Sequence, residues 1–178
     1  MPAIPTSEVN INKHYLYPGK IFSSKKPHIV DTILGSCIAV FLWDPILQFG
    51  CVNHFMLPLW NKEGDPSFKY GNVAIPELIK RMQKMGSNKK NIKAKIFGGS
   101  GIGHSNGMFN IGRRNIILAQ DMLRNEKIPI VSCSVGGSLG RKVIFYSASG
   151  DVLISYIKHD IKIIDHQTSN CKFNLSEK

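Results

Sequence analysis

A chain of 178 residues, 43% of them hydrophobic and 20% charged, has the composition of an ordinary soluble globular protein. Its length predicts one domain, 1–178, with an N-terminal arm at 1–27 and a weakly ordered tail at 158–178. The formal net charge of +11 favours anionic partners, and solubility is the alternative explanation for it. Because the basic residues are dispersed and not interleaved with aromatics, we expect no nucleic-acid partner.

The sequence also restricts the cellular setting. The run 38–43 is far shorter than the roughly 20 apolar residues that span a bilayer, and residues 1–7 lack the pattern of a signal peptide. We therefore expect a cytoplasmic protein without membrane insertion. The absence of CxxC spacing favours free thiols and disfavours zinc, so we expect neither a metal nor another cofactor. The cysteines concerned are Cys37, Cys51, Cys133 and Cys171.

The first part of the chain has the pattern of β structure. Residues 1–27 are polar and carry four prolines, which predicts an arm with at most one short strand. Apolar segments at 29–34 and 38–43 predict two buried strands, interrupted at 35–37 by Gly-Ser-Cys. A third strand is predicted at 50–57, where Pro58 ends it.

The second part mixes helices and strands. Helical spacing of apolar residues predicts helices over 73–85, with Pro76 in the first turn, and over 113–125. The further predicted strands are 92–97, 128–134, 142–147 and 152–157. This order predicts an α/β fold with mixed sheets and no regular βαβ repeat.

Cys37 is the first candidate for chemistry. It follows a Gly35-Ser36 step that lets the backbone turn sharply, so that the thiol and nearby N–H groups can face a pocket. A thiol with its usual pKa of about 8.5 needs a base at neutral pH. His54 lies one predicted strand later and could reach Cys37 from an adjacent antiparallel strand. The alternative is a small core cysteine and a hydrogen-bonded core histidine.

Six segments of the chain resemble the CheD family, the chemoreceptor glutamine deamidases of bacterial chemotaxis. They follow the family's order and cover about residues 10–157. Cys37 matches the cysteine of the LGSC block, and His54 matches the histidine of the HxMLP block. The segments are TILGSCIAVFLWDP, GCVNHFMLP, KYGNVAIPELI, KIFGGSGIG, NIGRRNI and VGGSLGRKVIFYSASGDV.

The resemblance implies an activity and a fold. Family members hydrolyse the side-chain amide of particular glutamines on methyl-accepting chemotaxis receptors to glutamate and ammonia, and some also hydrolyse glutamate methyl esters. Their fold is a layered α/β/β/α sandwich, similar to the deamidating cytotoxic necrotising factor toxins. A CheC-type phosphatase is the regulatory partner where one is present. The alternative function is a non-catalytic adaptor that binds receptors or such a phosphatase.

The resemblance also implies a third catalytic member, a threonine a few residues before the cysteine. An ungapped count of six residues back from Cys37 gives Asp31, whereas Thr32 lies one residue closer. Neighbours on a strand point to opposite faces, so only one of them can face His54. We expect Thr32, because a neutral residue orients the imidazole without raising its pKa much. Asp31 is the alternative, and a backbone carbonyl is another.

The remaining candidates lie around the site. Backbone N–H groups at the Gly35-Ser36 turn are predicted to hold an oxyanion. Gly98 and Gly99 in a shaped loop, and Asn110 and Arg113 at a helix start, are predicted contacts to substrate or partner. A surface loop and a solvated helix end are the alternatives. The G-x-S-x-G pattern at 103–107 needs a strand-to-helix turn, and its predicted loop context argues against a serine hydrolase.

Overall fold

The computed structural model describes residues 11–101 and 110–157, together with the backbone of 162–165. This part of the chain forms ten strands, two α-helices and one short 3₁₀ helix. The strands are β1 (Asn12–Tyr15), β2 (Lys20–Ser23), β3 (His28–Leu34), β4 (Ile38–Asp44), β5 (Phe49–Phe55), β6 (Lys93–Gly98), β7 (Ile130–Val135), β8 (Gly140–Tyr146), β9 (Val152–Ile157) and β10 (Lys162–Asp165). The helices are α1 (Gly71–Lys84), α2 (Ile111–Asn125) and the 3₁₀ helix Lys89–Asn91.

The strands form two mixed sheets of five strands each. The central sheet has the order β2-β5-β4-β6-β7, and the outer sheet has the order β1-β3-β8-β9-β10. β6 and β7 pair in parallel in the central sheet, as do β1 and β3 in the outer sheet, and the other pairs are antiparallel. The prediction of an α/β fold with mixed sheets is therefore confirmed.

The burial pattern of the strands explains how the sheets are stacked. Every residue of β5 is buried, as expected for a strand covered on both faces, whereas β8 alternates between buried and partly exposed residues. Inward-facing side chains of the two sheets form an inter-sheet core that includes Val30, Phe41 and Phe145. The other face of the central sheet packs against the amphipathic helices α1 and α2.

The predicted four-layer α/β/β/α sandwich does not match the described residues. Both α1 and α2 pack on the central sheet, so these residues form three layers, α/β/β. The order of helices and strands along the sequence is the same whether both helices cover one sheet or each covers a different sheet. Hydrophobic periodicity identifies a helix but does not tell which sheet it will cover.

Three local predictions were also wrong, and they concern the N-terminal arm, Pro76 and the free thiols. The arm at 1–27 contains two short strands where at most one is predicted, because β1 and β2 each pair with an interior strand. Pro76 lies in the second turn of α1, because the helix begins at Gly71, whose N–H donates to the Leu57 carbonyl. Cys37 and Cys51 are free thiols, but Cys133 is disulfide-bonded. Spacing along the chain cannot reveal a cysteine pair that only the fold brings together.

Candidate active site

The turn that carries Cys37 joins β3 to β4 and is held by its three carbonyl groups. The carbonyl of Gly35 accepts from the Ser100 N–H at 2.9 Å, and that of Cys37 accepts from the Gly99 N–H at 2.8 Å. The carbonyl of Ser36 accepts from Asn115 Nδ2 at 3.0 Å. With all three acceptors engaged, the turn has a fixed orientation.

The amide N–H groups of the same turn point away from the described backbone acceptors. Within the described residues, neither the Ser36 N–H nor the Cys37 N–H donates to a backbone carbonyl. Burial raises the pKa of the Cys37 thiol, and the N–H of the same residue opposes this shift in part. N–H groups that donate to no backbone carbonyl and lie beside a thiol have the chemistry of an oxyanion hole.

His54 faces the inter-sheet core from β5. It pairs with Ala39 of β4, and Cys37 lies two residues before Ala39, so both side chains leave the sheet on the same side. Such diagonal neighbours are separated by about 7–8 Å, within reach of a long side chain. The imidazole Nε2 is buried and makes no hydrogen bond to the thiol or to any other described atom.

Thr32 contacts the other nitrogen of the same imidazole. Its Oγ1 lies 2.8 Å from His54 Nδ1 and donates its only hydrogen to the Leu16 carbonyl, also at 2.8 Å. Because that hydrogen is used, Oγ1 can only accept from Nδ1. We therefore assign the proton of the neutral imidazole to Nδ1. The other nitrogen, Nε2, then carries a free lone pair and can accept a proton from the neighbouring Cys37.

Burial makes both groups neutral at physiological pH. It lowers the pKa of His54 to about 4, a shift that the nearby Leu16 carbonyl opposes. It also raises the pKa of the Cys37 thiol, against the opposing effect of the Cys37 N–H. The resting site thus holds a thiol and an imidazole that can act as a base, and not a preformed thiolate–imidazolium pair.

Asp31 points away from this site. Its carboxylate lies 3.4 Å from Lys142 Nζ on the neighbouring strand β8, and it shares no contact with His54. The alternation of strand side chains thus places Thr32 on the inter-sheet face and Asp31 on the opposite face.

The two predicted contact glycines lie against the backbone of Cys37. A side chain at Gly98, whose φ is 112°, would place its Cβ 2.1 Å from the Cys37 carbonyl oxygen. Gly99 donates its N–H to that same oxygen. Both residues therefore pack against the backbone of the Cys37 turn and stabilise it, a role that the sequence did not predict for them.

The other two predicted contacts lie at the start of α2. Asn110 caps the helix, because its side chain accepts from the Arg113 N–H at 3.0 Å. Arg113 itself is exposed. The segment 103–107, with its G-x-S-x-G pattern, falls outside the described residues.

Asn115 is a site residue that the sequence reasoning missed. From the buried face of α2 its Nδ2 donates both to the Ser36 carbonyl and to the Met56 carbonyl, at 3.0 and 2.9 Å. It thus ties the Cys37 turn to the end of the strand that carries His54. A polar residue on the apolar stripe of a helix was the available signal, because a buried amide needs partners.

The described residues offer neither a metal-binding cluster nor a membrane-spanning helix. No group of three or more His, Cys, Asp or Glu side chains in residues 11–101 and 110–157 could hold a metal ion. No helix among those residues is long and apolar enough to cross a membrane.

Comparison with known proteins identifies the family. The family model described as CheD chemotactic sensory transduction matches residues 56–156. The chain belongs to the CheD family. A relative from Sulfurimonas denitrificans, named probable chemoreceptor glutamine deamidase CheD, is 40% identical over 149 residues, covering 82% of this chain and 95% of the relative. A CheD relative of the same name from Trichlorobacter lovleyi is 41% identical, covering 81% and 90%.

Proposed function

We propose that this CheD family member is a cysteine amidohydrolase that converts specific glutamines of chemotaxis receptors to glutamate. The relatives are named probable chemoreceptor glutamine deamidases, which supports this substrate class. The observation that carries the mechanism is the Thr32–His54 hydrogen bond, which turns the unprotonated Nε2 toward the strand end where Cys37 lies.

The first half-reaction forms a thioester. His54 Nε2 takes the proton of the Cys37 thiol as the sulfur attacks the glutamine side-chain carbonyl carbon, and the N–H groups of Ser36 and Cys37 hold the oxyanion. The C–N bond then breaks. The imidazolium gives its proton to the leaving nitrogen, which departs as ammonia.

The second half-reaction releases glutamate. His54 accepts a proton from water, the resulting hydroxide attacks the thioester carbonyl, and the C–S bond breaks as the proton returns to the sulfur. A glutamate methyl ester would follow the same steps with methanol as the leaving group, so ester hydrolysis belongs to the same proposal. The chemistry requires neither a metal nor another cofactor.

The proposal is tested by mass spectrometry of a purified receptor cytoplasmic fragment incubated with the protein. Exchange of an amide for a carboxyl adds about one mass unit at each modified glutamine. We expect Cys37→Ala to abolish this gain and His54→Ala to match it closely, because residues that act as a unit are not additive. More than a tenth of the activity remaining in Cys37→Ala would refute the cysteine mechanism.

A second measurement separates an enzyme from a non-catalytic adaptor for receptors or a CheC-type phosphatase. Iodoacetamide at pH 7 should modify Cys37 faster than the fully buried Cys51, whose pKa burial raises to about 12. The His54→Ala variant should lose this preference. If Cys37 is inert and receptor glutamines are unchanged while the receptor still binds, the adaptor function is the correct one.

A further inference from the structure

Arg141 is a buried cation without an ionic partner among the described residues. Only 2% of the residue is exposed, and none of the ion pairs in that part of the chain includes it. Its Nη1 donates to the carbonyl and the hydroxyl of Ser134, and its Nη2 donates to the Gly136 carbonyl. Its Nε is buried and has no hydrogen-bond acceptor there.

The free donors of Arg141 have the geometry for a carboxylate. A guanidinium carries five N–H hydrogens, and the described acceptors use three of them. An Nε–H together with an Nη2–H forms the fork that binds the two oxygens of a carboxylate. A buried charge left without a counterion is costly, so a ligand that supplies one gains free energy from the site.

A cavity of about 310 Å³ lies beside this guanidinium. It is lined by the β7–β8 turn, including Gly137 and Ser138, by Arg141 and by Tyr156, whose ring lies 5.5 Å from the Arg141 guanidinium carbon. Gly137 and Ser138 are exposed, so the cavity has an opening at this turn. A small anionic group is the ligand that this combination of volume and charge suits.

The cavity lies next to the proposed active site. Arg141 pairs with Leu34 in the outer sheet, and Thr32 pairs with Val143, so Arg141 and Thr32 share the inter-sheet face two residues apart in register. From the other side, Gly136 donates to the Gly98 carbonyl, and Gly98 lies against Cys37. Two strand spacings, about 10 Å, thus separate the β7–β8 turn from the Cys37 turn.

We propose that the Arg141 cavity binds a carboxylate of the substrate protein, a glutamate side chain close to the glutamine that is deamidated. This proposal rests on the proposed function for the identity of the substrate protein. The site would select glutamines in an acidic context, because the two oxygens of a glutamate carboxylate can accept from both free donors, whereas a glutamine amide offers one oxygen.

The first experiment measures carboxylate binding without catalysis. In ¹⁵N-labelled Cys37→Ser protein, the Arg141 Nε–H resonance is assigned by its loss in Arg141→Lys, and N-acetylglutamate amide is then titrated. We expect this compound to shift the resonance, and N-acetylglutamine amide to leave it unchanged. No shift, or equal shifts from both compounds, would overturn the site. Because an inactive variant is used, failure of the deamidase proposal would not affect this result.

The second experiment changes a residue at the opening of the cavity and leaves Arg141 in place, so it remains valid if Arg141→Lys does not fold. Ser138→Glu places a carboxylate at the opening, where it should occupy Arg141 and raise KM for a receptor fragment at least fivefold with kcat unchanged. Ser149→Glu adds the same charge to the exposed β8–β9 turn at the opposite end of β8 and is the control. Equal KM values for the two variants would overturn the proposal.

A third arm identifies the source of the carboxylate. Replacing the glutamates that flank a target glutamine by glutamine should raise KM for the unmodified enzyme and have little further effect on Ser138→Glu. If the N-acetylglutamate amide shifts the resonance but these substrate changes leave KM unaltered, the cavity takes a free carboxylate, and the substrate assignment is wrong.

Discussion

At the scale of single residues, the catalytic proposal depends on where one proton of His54 lies. Thr32 uses its only hydrogen for the Leu16 carbonyl, and this forces its oxygen to accept from Nδ1. A serine or threonine hydroxyl in that position fixes the tautomer without adding charge. An aspartate would do the same while favouring the imidazolium. The neutral orienter therefore suits a histidine that must begin the reaction as a base.

The hydroxyl of Thr32 is tested by two substitutions. Thr32→Val keeps the shape but removes the acceptor, so the imidazole can turn or change tautomer, and kcat should fall by about 10²-fold, the lower end of general-base effects. Thr32→Ser keeps the acceptor and should retain most activity. Both are measured as glutamine conversion on a receptor fragment.

Asp31→Asn is the matched control on the opposite face of the same strand. It removes only an exposed contact with Lys142, so activity and its pH profile should stay unchanged. Loss of activity in Asp31→Asn with full activity in Thr32→Val would reverse the assignment of the third member.

Burial of His54 also predicts how stability depends on pH. Its pKa is about 4 in the folded protein and about 6.5 when unfolded, so between these values only the unfolded state binds the extra proton. The corresponding stability is fully present above pH 6.5 and is lost as the pH falls toward 4. The loss is about 3 kcal/mol for a shift of this size.

Urea unfolding between pH 7 and 4 measures this contribution. The unmodified protein should lose about 3 kcal/mol more than His54→Gln over that range, since glutamine does not titrate. Parallel pH curves for the two proteins would show that His54 does not titrate as a buried group. The same pKa predicts that kcat/KM begins to decrease only when the pH is lowered below about 5, where His54 becomes protonated.

At the scale of elements, sequence patterns predict the strands and helices well but not their partners. The strands predicted at 29–34 and 38–43 differ from β3 and β4 by one residue at one end, because continuous apolar runs are strong local signals. The layer that α1 and α2 cover, and the pairing of β1 and β2, depend on contacts between distant segments. For the same reason the family motif led to Cys37 and His54, whereas Asn115 required the fold.

Asn115 shows how one element positions another, and its amide can be tested. Asn115→Asp replaces the donor of two hydrogen bonds by an acceptor, so the Ser36 and Met56 carbonyls lose their partner and face a like charge. We expect kcat to fall at least tenfold and the alkylation rate of Cys37 at pH 7 to change with it.

Asn72→Asp is the control for this substitution. Asn72 uses its oxygen to accept from the Trp60 N–H, an interaction that aspartate retains, so activity and alkylation should be normal. If Asn115→Asp is less stable but alkylates Cys37 at the ordinary rate and keeps kcat, Asn115 has a structural role only.

At the scale of the whole molecule, the proposed site exists only where the two sheets pack together. Thr32 belongs to the outer sheet and His54 to the central sheet, and Cys37 lies in the turn that leads into β4 of the central sheet. Arg141 lies on the same inter-sheet face, two residue pairs further along the outer sheet. A partner that reaches this end of the interface would meet the proposed nucleophile, its proposed base and a buried cation together.

The net charge of +11 predicts how such a partner is attracted. If the receptor surface is acidic, as expected for its helical bundle, long-range attraction acts on association and is screened by salt, with a Debye length of about 10 Å at 0.1 M and about 3 Å at 1 M. Raising the salt concentration from 50 to 500 mM should increase KM for a receptor fragment severalfold. It should leave kcat nearly unchanged, because the buried His54 and the half-buried Cys37 are screened far less than exposed charges. Reaction with iodoacetamide, which is uncharged, serves as the control and should not depend on salt. A KM that is constant over this range would show that the positive charge serves solubility and not recognition of the receptor.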